Sequence, residues 1–212
     1  STERLRAFSI GTDDRVLDES VAAAAYAGAL DLDHTVRRID APSAAGMVDQ
    51  VTAACTEPLG DASILPTLLV SALAAASVKT VLSGDGGDEL LWGYPRFAKV
   101  RAARRWFDRP HAARVLAYAA TKPAPTHRRP PRGILFPTIG DWYLDAHSGL
   151  RDSDLDVIAP GLPGMPEDMT LFTLDGPVDD DGLMQWMRAN ELACHLPMVL
   201  QKVDRASMHH SL

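Results

Sequence analysis

Seven consecutive residues, Ser83-Gly84-Asp85-Gly86-Gly87-Asp88-Glu89, set three glycines and three carboxylates behind one hydroxyl. A β-branched, apolar run, Thr80-Val81-Leu82, leads in, and Leu90-Leu91-Trp92-Gly93-Tyr94 leads out. Glycines admit positive φ and let a ligand approach the backbone closely. A helix opening on the far side would present unpaired N–H groups to an anion. Acids this close together call for a cation or a positively polarised substrate. The stretch therefore reads as a nucleotide-plus-magnesium corner, weighed against a plain Gly-rich turn with solvated acids.

Such a corner needs a strand before it and a helix after it. Lys79–Ser83 reads as that strand. Upstream, Leu5–Ile10 and His34–Ile39 read as strands, and Val21–Leu30, Pro42–Cys55 and Leu65–Val78 as helices. Strands alternating with helices predict an α/β fold with a parallel sheet. Ligands of such sheets sit at the carboxyl ends of the strands, where Gly11 and Ser83 fall. The pattern changes after Tyr94. Arg96, Lys99, Arg101, Arg104, Arg105 and Arg109 form a basic run on helical sequence. Lys122–Arg132 is a proline-rich break, Asp152–Pro166 reads as an acidic loop, and helical periodicity returns from Leu183 to Leu212. This predicts a boundary near residue 97, between an α/β nucleotide-binding part (1–97) and a mostly helical part (98–212).

The string Ser83–Leu90 followed by Gly93-Tyr94 resembles the second signature of the asparagine synthetase family, in its ATP-dependent synthetase domain. Two further segments are similar to that family: Ala7-Phe8-Ser9-Ile10-Gly11, and Leu196-Pro197 with Lys202-Val203-Asp204-Arg205-Ala206-Ser207-Met208. The resemblance implies a PP-loop, Rossmann-like adenine-nucleotide-binding domain using ATP and Mg2+. It implies that Ser83 and Gly84 contribute to the ATP site and that Ile10 touches the adenine. It implies that Asp85 acts on the acyl-adenylate or the incoming amine, and that Asp88 helps hold magnesium on the departing pyrophosphate. Glu89 reads as well as a helix-start acid, and His34 as structural. Lys202, Asp204 and Arg205 read equally as cleft-lining or as a structural ion network. Ser148-Gly149-Leu150-Arg151-Asp152-Ser153 looks like the family's pyrophosphate loop but lacks its second glycine, and reads as chance. Trp92 stands where the family commonly has a small residue, and could narrow the pocket or simply pack.

The family pattern places a cysteine-led glutaminase domain, a first strand and the pyrophosphate loop ahead of the point where this chain starts. The chain is therefore expected to be an internal piece of a larger cytoplasmic synthetase, inactive alone, with a homodimer compatible with the resemblance. The implied reaction activates aspartate with ATP and amidates it with ammonia drawn from glutamine. Rival readings are a β-lactam synthetase-like or peptide-cyclising ligase, an inactive module, and a generic mononucleotide binder. Bulk numbers exclude other classes. A net charge of −7 disfavours a general nucleic-acid or anionic-membrane binder. No apolar run is long enough to span a bilayer. Cys55 and Cys194 lack zinc-site spacing and read as buried reduced thiols.

Overall fold

The computed structural model describes residues 4–16, 18–121, 129–147, 152–161, 172–174 and 178–212. The chain is mixed α/β and mostly helical, with a two-stranded parallel sheet among the described residues. It divides into two compact units, Ser1–Asp85 with Pro197–Leu212, and Gly86–Leu196.

In the first unit, strands β1 (Arg6–Thr12) and β2 (Asp33–Ile39) pair in parallel, in register from Arg6↔Asp33 to Thr12↔Ile39. Parallel neighbours need a crossover, and helix α1 (Ser20–Ala29), alanine-rich and therefore a good helix former, supplies it. The segment read as one helix over 42–55 is two. Asp40 caps α2 (Ala41–Ala45) by accepting from the Ser43 N–H at 2.8 Å. Gly46, a poor helix former, closes that turn, and α3 (Val48–Ala54) restarts after Met47. Helix α4 (Ile64–Ala75) buries Ile64, Leu68 and Leu69 on one face. With Ile39, Met47 and Ala206 these form the core of the unit, and Ile10 packs against it.

Lys79–Ser83 is not a strand. An apolar run becomes a strand only when a neighbour accepts and donates its ladder of hydrogen bonds, and among the described residues it has no such neighbour. Val81 is accordingly 41% exposed and Leu82 fully so.

The second unit is helical: α5 (Gly87–Leu91), α6 (Pro95–Phe107), α7 (His111–Ala120), α8 (Ile139–His147), α9 (Asp152–Ile158) and α10 (Asp180–Asn190). Helix α9 falls where an acidic loop was expected. Acids gathered at a helix start are favoured by the dipole, so acidic composition alone does not exclude a helix. Part of the proline-rich break (122–128) and part of the Ser148–Ser153 look-alike (148–151) lie outside the described residues. Helix α6 buries Phe97, Val100 and Ala103, and α10 buries Leu183 and Met187, each at helical spacing. They close on Ile139 and Tyr143 of α8 to form the second core. The basic run of α6 is used internally: Arg104 donates to Asp180 at 2.8 Å and to the Val178 carbonyl at 2.9 Å, and Arg101 reaches Asp180 at 3.3 Å. A π-helical turn, Glu191–His195, joins α10 to α11 (Leu196–His209), whose residues from Pro197 onward belong to the first unit. No helix among the described residues is long and apolar enough to cross a membrane.

Candidate functional site

Of the residues singled out by the sequence, Ile10, Ser83, Gly84 and Asp85 lie in the first unit and Asp88 in the second, because the division falls inside the signature. Ile10 sits in β1 opposite Arg37, partly buried, with its side chain packed against the core of the unit. Ser83, Gly84 and Asp85 are exposed and irregular. His34 shares a 2.9 Å hydrogen bond with the Ser9 hydroxyl across the two strands, a structural use.

The Lys-Val-Asp-Arg segment has a definite partner. Lys202, buried on the inner face of α11, donates to the Asp61 carboxylate at 3.1 Å and to the Ser63 hydroxyl at 2.7 Å. Gln201 donates to Glu57 at 2.5 Å. The loop Glu57–Asp61 is thus tied to the C-terminal helix. Burial works against the Asp61 charge, but the Ser63 side chain and N–H together with Lys202 outweigh it and hold the carboxyl below its usual range. Lys202→Met is expected to cost about 2 kcal/mol, the scale of a charge-assisted bond. Denaturant unfolding of Lys202→Met, Asp61→Asn and the double variant checks this. A double variant no worse than Lys202→Met is the expected result.

In the second unit, Gly86 opens α5 with φ of 92°, a left-handed conformation that glycine adopts without strain. The two acids of α5 part company. Asp88 faces solvent, whereas Glu89 is 1% exposed and accepts a 2.6 Å hydrogen bond from the Tyr94 hydroxyl. Burial and the Glu89 carboxylate push the Tyr94 phenol well above its usual range, so it stays a donor. Glu89 is therefore a structural acid. Trp92 packs on the core of the unit and its indole N–H donates to the Met184 carbonyl at 3.0 Å.

A second polar group was not foreseen. Glu191, wholly buried at the start of the π turn, receives Arg96 in a two-pronged bond, Nε to Oε1 at 2.6 Å and Nη2 to Oε2 at 2.5 Å. The Tyr143 hydroxyl donates to Oε1 at 2.5 Å, and His147 Nε2 lies 2.9 Å from the same oxygen. The other His147 nitrogen faces the Tyr143 carbonyl at 2.8 Å. Burial opposes the charge on Glu191, but the bonds from His147, Arg96 and Tyr143 prevail and hold its carboxyl down to about 2. One signal was available: residues 183, 187 and 191 share a helical face, so Glu191 extends the Leu183–Met187 stripe into the core. A carboxylate there requires a cation, and Arg96 was read only as part of a basic run.

A family model described as asparagine synthase matches residues 1–212, the whole chain. The chain belongs to the asparagine synthase family. Relatives of this family domain in Mycobacterium bovis and in Mycobacterium tuberculosis (strain H37Rv) are named "Putative asparagine synthetase (glutamine-hydrolyzing)". Each is 26% identical over 226 residues, covering 99% of this chain and 33% of the relative. A Methanocaldococcus jannaschii protein named "Putative asparagine synthetase (glutamine-hydrolyzing) 2" is 48% identical over 48 residues, 23% of this chain and 9% of that protein. The chain spans about a third of the length of the mycobacterial relatives. No solved structure matches it.

Proposed function

We propose that this chain is part of an ATP-dependent carbon–nitrogen ligase. The enzyme activates a carboxylate, aspartate by default, as its acyl-adenylate and then joins it to ammonia drawn from glutamine. The observation that carries the reading is the signature itself, in a chain matched by the asparagine synthase family over its whole length. Its acids are sorted as the chemistry requires: Asp85 and Asp88 face solvent and Glu89 is spent on Tyr94. On this reading β1 and β2 belong to a PP-loop, Rossmann-like sheet, the enzyme is cytoplasmic, and a glutaminase domain of the full-length protein supplies the ammonia.

The roles follow from position and chemistry. The Ile10 backbone meets the adenine, and the Ser83 hydroxyl with the Ser83-Gly84 backbone holds ATP. Asp85 stabilises the acyl-adenylate as it forms, or orients the incoming amine and takes its proton. Asp88 is the carboxylate that would hold magnesium. The residues fit that ion when it arrives with phosphate, since it prefers one or two carboxylates completed by phosphate oxygens and water. Among the described residues no three His, Cys, Asp or Glu side chains gather into a cage of their own. Bound there, magnesium would offset charge developing on the departing pyrophosphate. Most of the rate gain then comes from positioning.

The test is ATP–pyrophosphate exchange by the full-length protein with magnesium. Aspartate-dependent exchange is the expected result. Exchange with another carboxylate only would remove asparagine as the product, and none with any carboxylate would overturn the ligase reading.

A further inference from the structure

Asp88 is backed by a three-residue turn in which each residue does something different. Helix α5 ends at Leu91, and Trp92 takes the left-handed conformation, φ 57° and ψ 41°. Glycine or asparagine usually fills such a helix-end position, and a bulky side chain there is strained unless its surroundings hold it. They do: the Trp92 indole N–H is bonded to the Met184 carbonyl at 3.0 Å, and the Arg188 guanidinium lies 4.8 Å over its ring.

Glycine stands one residue later than the dihedral asks for it. Gly93 has no positive φ, so what it supplies is space. Its N–H donates to the Asp88 carbonyl at 2.9 Å. A methyl group at this position would overlap Asp88 Oδ1 and reach 2.9 Å from the Asp88 Cγ, and it would also lie 3.1 Å from the Asp88 backbone Cα. Tyr94, next in line, draws Glu89 inward. The turn therefore pins itself through Trp92, seats the Asp88 carboxylate against bare backbone at Gly93, and removes the competing neighbouring acid through Tyr94.

We propose that Trp92-Gly93-Tyr94 is the positioning device of Asp88, with Gly93 the residue that sets where its carboxylate sits. This rests on the reading of Asp88 as the magnesium-holding acid and deepens it: the residue touching the ion is Asp88, and Gly93 acts through it. The placement explains why a glycine is needed where the backbone angle does not demand one. It also explains why a strained tryptophan precedes it, since strain is retained where a fixed geometry is required.

The experiment compares Gly93→Ala, Asp88→Ala and the double variant in the full-length protein, by thermal unfolding and by the magnesium dependence of exchange. Gly93→Ala is expected to raise the magnesium needed for half-maximal exchange by roughly tenfold, as loss of a ligand's support commonly does. It also lowers the Tm; in the Asp88→Ala background it shifts the magnesium dependence no further and lowers the Tm by less, since only the contact with the Asp88 Cα remains. If Asp88→Ala shifts the magnesium dependence and Gly93→Ala does not, the positioning role is overturned while the Asp88 reading stands. If Asp88→Ala shifts nothing, the Asp88 reading fails, and the role of Gly93 fails with it. Should Gly93→Ala not fold, the double variant decides: recovered folding supports the overlap with the carboxylate, and continued misfolding overturns it.

Discussion

Glu191→Ala lowers the stability of the protein by about 3–5 kcal/mol, the cost of leaving one partner of a buried ion pair uncompensated. In a domain of this size that is roughly 10 °C in Tm. The size follows from the arrangement. Glu191 has no solvent contact, and Arg96, Tyr143 and His147 all aim polar hydrogens at it. Removing the carboxylate strands three groups in one step. Thermal unfolding of the full-length protein measures this, and a loss under about 1 kcal/mol would mean that the cluster is solvated or replaceable.

The pH dependence has a definite sign. The Glu191 carboxyl is held at about 2 in the folded chain against an ordinary 4.5. A lowered folded-state value contributes stability that is whole above the unfolded value and drains away as pH falls through the folded one. The contribution, on the order of 3 kcal/mol, is therefore full at neutral pH and declines between about pH 4.5 and 2. The stability gap between the wild type and Glu191→Gln is expected to narrow over that window.

Asp85→Ala is expected to do the opposite: leave stability within about 0.5 kcal/mol, as for an exposed site, and abolish the reaction. General acid–base groups contribute roughly 10²–10⁴-fold, so amide formation should fall by at least the lower figure, and aspartate-dependent exchange should fall with it where Asp85 stabilises the acyl-adenylate. The contrast between the two variants separates a structural acid from a chemical one within the same chain. Normal exchange with lost amide formation would move Asp85 to the second half-reaction, acting on the amine. Normal exchange and normal amide formation would make it a solvated acid at a turn.

Much of the local structure was legible because it rests on local causes. The β1–α1–β2 unit follows from short β-branched runs flanking an alanine-rich helix former. The short α5 follows from the glycines before it. Where the reading failed, the missing term was non-local. Lys79–Ser83 has the composition of a strand but no ladder partner among the described residues, and composition cannot report a partner's presence. The break at Gly46 has a local cause, since glycine opposes helix. Lys202 shows the same limit from the other side: its charge pattern fits an exposed pair and a buried clamp equally, until Asp61 and Ser63, about 140 residues away, are seen beside it.

By itself the sequence determined the chemical inventory: the serine, the glycines and the acids of 83–89, their order, and the family they belong to. Those are covalent facts, and tertiary structure cannot alter them. Only the tertiary structure decided which acid is spent on the fold and which is left facing solvent. Asp88 and Glu89 are adjacent and nearly identical in type, yet Tyr94 takes one and Gly93 seats the other. It also decided that Glu191, a single carboxylate on an apolar helical face, is paired with Arg96 from 95 residues earlier. The physical reason is the same in both cases: the state of a carboxylate is set by the donors and the solvent around it, and those are assembled by packing between segments far apart in the chain.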